Sequence, residues 1–145
     1  MKVASNVRPS PIVGQWYSAD PQRLADQVDH YVQSARLPPL NGEVLAVMAP
    51  HAGHIYSGPV AGYAFAALRG LEPQVVVVVS PSHYPYLEPI LTTAHSAYQT
   101  PLGLLPVDQE ALQALDLYLT EKLGFGLTKV ANDPEHSLEI ELPFL

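Results

Sequence analysis

Two short apolar runs, Val44 to Ala49 and Val75 to Val79, constrain the fold of this chain more than any other feature. Each run is nearly continuous rather than alternating, which is typical of a strand buried on both faces of a parallel sheet. Between them, the segment from Ser57 to Gly70 has helical spacing and many small residues. Strand, helix and strand in this order predict a βαβ unit with a right-handed crossover. We therefore expect an α/β fold with a mostly parallel central sheet flanked by helices.

A histidine follows each apolar run, and these two histidines are the first candidates for a site. His51 lies in the segment from Pro50 to Gly58, and His83 ends the sequence Ser80-Pro81-Ser82-His83. Ligands of open α/β sheets bind outside the carboxyl ends of the strands, and imidazole is the commonest metal ligand. We predict that His51 and His83 bind a transition metal, with His136 or Glu135 as candidates for a third ligand.

The remaining histidines and one helix start are less informative. We interpret His54 as a loop residue at the rim of the site, and His30 and His95 as surface residues. Ser57-Gly58 at the start of the second helix could hold an anion on free backbone N–H groups, although an ordinary serine cap is the favoured interpretation.

Composition excludes several classes of function. The chain has 145 residues, a formal net charge of −7 and no cysteine. Nothing offers a basic surface to a nucleic acid, and no disulfide or thiolate metal site can form within the chain. The chain contains neither the dinucleotide-binding motif GxGxxG nor the P-loop motif GxxxxGK(S/T), so we expect no nucleotide cofactor. No apolar run reaches the roughly 18 residues of a membrane span, and we expect a cytoplasmic protein.

Local signals predict further elements along the chain. Asp20-Pro21 predicts the start of a helix that ends before Pro38. Asp108 predicts the start of another helix, which ends at Gly124 and has its leucines on one side. Residues 88–94 and 127–131 are candidate strands. The end of the chain is ambiguous: Leu138 to Leu145 alternates like a strand, but Asn132 to Glu135 is typical of a helix start. We expect this terminal apolar run, and one edge of the sheet, to remain uncovered.

Several motifs in order along the chain resemble the Memo family, whose prokaryotic members are called AmmeMemoRadiSam system protein B. They are Arg8-Pro9, Gly14-Gln15-Trp16-Tyr17, the segment Pro50 to Gly58, Pro81-Ser82-His83, Thr100 to Gly103 with Val107-Asp108, and Glu135 to Glu139 with Leu142 to Leu145. Ser80 stands where the family usually has glycine. The resemblance implies a fold similar to the class III extradiol dioxygenases, with pocket histidines at His51, His83 and His136.

The same resemblance implies that residues 1–145 are a single domain that corresponds to the N-terminal half of a longer protein. The family's later half, with a cysteine reported at the site, would then be absent. We therefore expect a fold incomplete at the C-terminus, which self-associates or is completed by a second chain.

Three functions remain open. The first is a non-haem oxidoreductase with iron or copper on His51 and His83, and with His136 as acid/base or polar contact. The second is a binding or adaptor module that recognises a peptide or small molecule, such as a small anion, in the same pocket; the adaptor role of eukaryotic Memo proteins favours it. The third is an incomplete domain without independent activity.

Overall fold

The computed structural model describes residues 6–145, which form a mixed α/β structure. These described residues contain five short strands, three α-helices and one 3₁₀ helix. In order they are β1 (Val7–Arg8), α1 (Pro21–Ser34), α2 (His54–Ala66), β2 (Leu91–Thr93), β3 (Ala97–Thr100), β4 (Gly103–Pro106), α3 (Gln109–Leu123), β5 (Thr128–Val130) and the 3₁₀ helix (Glu139–Phe144). The predicted α/β class is confirmed, whereas the likeness to extradiol dioxygenases and the single-domain assignment stay predictions.

The strands form two small sheets. In the first, β3 lies between β1, which is parallel to it, and β4, which is antiparallel. In the second, β2 and β5 pair in parallel. The register of the first sheet places Arg8 opposite Tyr98. Residues from the beginning and the middle of the chain thus meet in one sheet.

The two apolar runs that predicted the central strands do not form strands in residues 6–145. Neither Val44 to Ala49 nor Val75 to Val79 joins a hydrogen-bonded ladder. Their side chains are largely exposed, up to 93% for Met48 and 90% for Val79. The expectation that both runs are buried on two faces is therefore wrong for this part of the chain. A strand needs neighbours that satisfy its N–H and C=O groups, and residues 6–145 supply none to these runs.

The predicted helix starts agree with the structure for two of the three helices. The Asp20 and Asp108 carboxylates accept the N–H groups of Arg23 and Ala111, which caps α1 and α3. Gly124 ends α3 in a left-handed conformation. However, α3 has no buried residue, so its leucine side is only partly covered in this structure.

The core lies between α1, the segment before it and the 3₁₀ helix. Its buried apolar side chains are Ile12, Tyr17, Leu24, Val28 and Ile140. Helix α2 packs closely on α1, because a Cβ at Gly62 would overlap the backbone of Tyr31. The small residues between the two apolar runs thus allow α2 to approach α1 closely.

The end of the chain contributes to this core, which corrects the expectation of an uncovered terminal run. Ile140 and Leu142 are buried, while Leu145 is half-exposed. The segment forms neither the expected strand nor an α-helix but the 3₁₀ helix, where Pro143 interrupts regular hydrogen bonding. No helix within residues 6–145 is long and apolar enough to cross a membrane.

Candidate functional site

His51, His83 and His136 come together in space, and we call them the three-histidine cluster. The ring centres of His51 and His83 are 5.2 Å apart, and those of His83 and His136 are 4.6 Å apart. His51 and His136 are separated by 6.1 Å. His51 precedes α2, His83 follows the second apolar run, and His136 precedes the 3₁₀ helix. The structure therefore brings together the histidines that the sequence selected.

Glu135 holds His83 through its side chain and its backbone. The Nδ1 of His83 donates to Oε1 of Glu135 at 3.0 Å, and the backbone N–H of His83 donates to Oε2 at 2.5 Å. The N–H groups of His136 and Ser137 also donate to Oε1, both at 2.8 Å. Partial burial alone would raise the pKa of Glu135, but these hydrogen bonds outweigh it and lower the pKa to about 2. Glu135 is thus a carboxylate throughout the physiological range.

His136 is shielded on one side by an aromatic ring. The ring centres of Trp16 and His136 are 4.2 Å apart. Partial burial lowers the pKa of His136; the Glu135 carboxylate opposes this effect, whereas His83 and His51 add to it. The outcome is an imidazole that is neutral near pH 7.

Two serine hydroxyls fix the loops that carry His51 and His83. Ser57 donates to the carbonyl of Ala52 at 2.8 Å, next to His51. Ser137 donates to the carbonyl of Pro81 at 2.6 Å, two residues before His83. Helix α2 begins at His54 with Gly53 as its N-cap, so Ser57 is not the cap expected from the sequence. The anion-binding interpretation of Ser57-Gly58 loses its basis, because these residues lie inside the helix and are buried.

A buried ion-pair network anchors the segment that carries Glu135 and His136. The Arg8 guanidinium, whose side chain is 3% exposed, donates to Glu139 at 2.5 Å and to Asp133 at 3.1 Å. It also donates to the carbonyl of Glu135 at 2.6 Å. The Tyr17 hydroxyl donates to the other Glu139 oxygen at 2.8 Å. Sequence reasoning noted Arg8 and Glu139 only within motifs and missed the network, because their separation along the chain gives no local signal.

The donor atoms of two histidines of the cluster and of the neighbouring Glu135 lie close enough for a metal ion. One nitrogen each of His83 and His136 and one oxygen of Glu135 all lie within 4.8 Å of one another. His51 is not part of this tighter group but lies beside it. A metal–nitrogen bond of about 2.1 Å places the ring centres of two histidine ligands on one tetrahedral ion roughly 5 Å apart. The distance between His51 and His83 matches that value.

Two other histidines are structural, contrary to the sequence interpretation. His54 is buried rather than at a rim, with Nε2 bonded to the carbonyl of Ile140 at 2.9 Å. His95 is buried rather than on the surface, between Asn6 and the backbone of Asn132. His30 is exposed on α1, as expected.

The comparisons with known proteins agree with the motifs. The family model described as Memo-like protein matches residues 8–145. A MEMO1 family protein of Pyrobaculum aerophilum is 34% identical, in an alignment covering 96% of this chain and 51% of the relative. One of Methanopyrus kandleri is 36% identical over 95% of this chain and 50% of the relative. The chain spans about half the length of the curated relatives it matches. The resemblance found in the sequence is confirmed: the chain belongs to the Memo family.

Proposed function

We propose that this chain supplies the histidine ligands of a non-haem metal-dependent oxidoreductase. The observation that carries the proposal is the three-histidine cluster, in which three imidazoles from distant segments lie within 6.1 Å. Imidazole nitrogens beside a carboxylate are donors that suit iron and copper. Bound iron or copper would supply the redox chemistry and the open positions for oxygen and substrate.

The residues of the cluster have different roles in this proposal. His51 and His83 are the ligands in this proposal, and their ring separation of 5.2 Å is compatible with two ligands on one ion. The 4.6 Å between His83 and His136 is compatible as well, so the histidine variants below decide which pair binds. His136 is an acid/base or a polar contact for the substrate. Its pKa, lowered by burial, leaves it neutral and able to accept a proton near pH 7. Trp16 covers one side of that ring and restricts the approach of water.

A binding or adaptor module is the second candidate, and the openness of the cluster favours it. The side chain of His83 is 43% exposed. Two surface concavities within residues 6–145 are lined by residues of α1, the β3–β4 turn and the 3₁₀ helix, and no histidine of the cluster lines either of them. An open surface of imidazoles could hold a peptide or a small molecule without catalysing a reaction.

We infer that a further polypeptide segment covers the two exposed apolar runs. The supporting facts are the exposure of Leu45, Met48, Val77 and Val79 and relatives about twice as long as this chain. Contiguous exposed apolar surface usually marks an interface, and β-branched residues suit pairing with added strands. The segment equivalent to the other half of those relatives is the occupant that we propose, and it would also close the open side of the cluster.

The experiment measures metal binding and oxygen uptake with the same protein. The chain is titrated calorimetrically with Fe²⁺ under anaerobic conditions and, separately, with Cu²⁺. We expect His51→Ala and His83→Ala to weaken binding by more than the roughly 10- to 100-fold that loss of an outer partner costs. The exposed His30 provides the matched control, and His30→Ala should bind as the wild type does.

The outcomes separate the candidate functions. Oxygen uptake by the loaded chain that is lost in His83→Ala supports the oxidoreductase. Tight binding without oxygen uptake favours the binding module. Equal affinity in His51→Ala, His83→Ala and the control would place the ligands elsewhere and refute the metal site.

A further inference from the structure

The carboxylate of Glu135 is already occupied by donors from the chain itself. Four groups donate to it: the side chain of His83 and the backbone N–H groups of His83, His136 and Ser137. A carboxylate offers about four lone-pair positions. Oε1 accepts three of these bonds and has no position left for a metal ion, whereas Oε2 accepts one. The carboxylate lies within 4.8 Å of two histidine nitrogens.

The hydrogen bond to His83 determines which of its nitrogens can bind a ligand. A carboxylate oxygen can only accept, so Nδ1 of His83 must carry the proton that is donated at 3.0 Å. In the neutral ring, Nε2 then has the free lone pair. A metal-bound histidine commonly donates its other N–H to a carboxylate, which fixes the ring and its tautomer.

We propose that Glu135 is a positioning residue, which fixes His83 in the tautomer with the proton on Nδ1 and directs Nε2 to the ligand. The proposal rests on the proposed function, because positioning Nε2 matters only if His83 binds a metal ion. The hydrogen bond between Glu135 and His83 does not depend on a metal ion. It assigns Glu135 a role outside the set of metal ligands.

Arg8 extends this positioning to the backbone. Its guanidinium donates to the carbonyls of Asp133 and Glu135, at 3.1 and 2.6 Å, and to the Asp133 carboxylate. The Asp133 carboxylate in turn accepts the N–H of Glu135 at 3.0 Å. The segment that presents Glu135 is thereby tied to the start of the chain through a side chain that is 3% exposed.

The first measurement reads the tautomer of His83 in the metal-free protein. Long-range ¹H–¹⁵N spectra are recorded at pH 8.5, about two units above the ordinary pKa of a histidine side chain, and His83→Ala assigns the signals. We expect one tautomer for His83 in the wild type, with Nδ1 protonated. A proton on Nε2 would overturn the proposal without any variant, and whether or not the protein binds metal.

The second measurement compares two replacements of Glu135. Glu135→Ala should lose the fixed tautomer and bind Fe²⁺ roughly 10- to 100-fold more weakly. Glu135→Gln keeps an oxygen that can accept the Nδ1 proton, so it should retain the tautomer and most of the affinity. Glu121→Ala, at an exposed carboxylate on α3, is the control and should change neither quantity.

The outcomes distinguish this proposal from the proposed function. If Glu135→Gln loses as much affinity as His83→Ala, Glu135 is a metal ligand and the positioning role is overturned. A tautomer unchanged in Glu135→Ala also overturns it. If the wild type binds neither Fe²⁺ nor Cu²⁺, the proposed function fails, while the tautomer still decides whether Glu135 orients His83.

Discussion

Replacing Arg8 by methionine should destabilise the fold severely, although Met retains most of the apolar part of the side chain. The change removes the cation between two carboxylates, those of Glu139 and Asp133, which are 2% and 11% exposed. Breaking a buried ion pair by removing one partner costs about 3–5 kcal/mol, because the remaining charge is left buried without compensation. The free energy of unfolding of a native protein is about 5–15 kcal/mol, so Arg8→Met should lose a large fraction of it.

Urea-induced unfolding measures this loss, with fluorescence of the single tryptophan, Trp16, as the probe. The matched control is Lys122→Met, which removes the cation of an exposed pair with Glu121. Exposed pairs contribute about 0–1 kcal/mol, so the control should unfold nearly as the wild type does. If Arg8→Met also costs less than about 1 kcal/mol, the network does not hold the segment that carries Glu135 and His136.

Two further predictions concern buried charge and exposed apolar surface. Glu141 is buried without a hydrogen-bond partner in the described residues, and burial raises its pKa from 4.5 to about 7. The folded chain then binds this proton more tightly than the unfolded chain, so stability falls as pH rises from about 4.5 to 7, by roughly 3 kcal/mol. Urea unfolding at pH 5 and 8 measures this effect as a difference: between these pH values the stability of the wild type should fall relative to that of Glu141→Gln, which shares all other titrating groups. Val77→Lys and Val79→Lys should reduce the binding of an apolar dye without loss of stability, since both side chains are largely exposed. A defined dimer of the wild type in sedimentation would instead show that a second copy of the chain covers this apolar surface.

Helix boundaries could be predicted where the signal is local. The caps at Asp20 and Asp108, and the left-handed Gly124, depend on residues within one turn of each helix end. The expected cap of α2, Ser57, lies four residues after the observed N-cap, Gly53, which makes no side-chain hydrogen bond. The backbone N–H of His54 instead bonds to the carbonyl of Trp16, from a distant segment.

Strand formation could not be predicted from the apolar runs alone. A run such as Val75 to Val79 shows a preference for a buried strand, but pairing depends on a neighbour that the run does not contain. The strands that formed are shorter and less apolar, for example β3, which pairs with β1 and β4. Likewise, the terminal run looked uncovered until its contact with α1 and Tyr17 made it part of the core.

The sequence by itself determined the family, the α/β class, the caps of α1 and α3 and the histidines of the candidate site, because motifs and local propensities are readable along one chain. Only the tertiary structure decided which groups surround those histidines. The pairing of Glu135 with His83, the Arg8 network and the burial of His54 join residues 52 to 131 positions apart. The physical reason is that hydrogen bonding and desolvation act on groups that fold into contact, whatever their distance along the sequence.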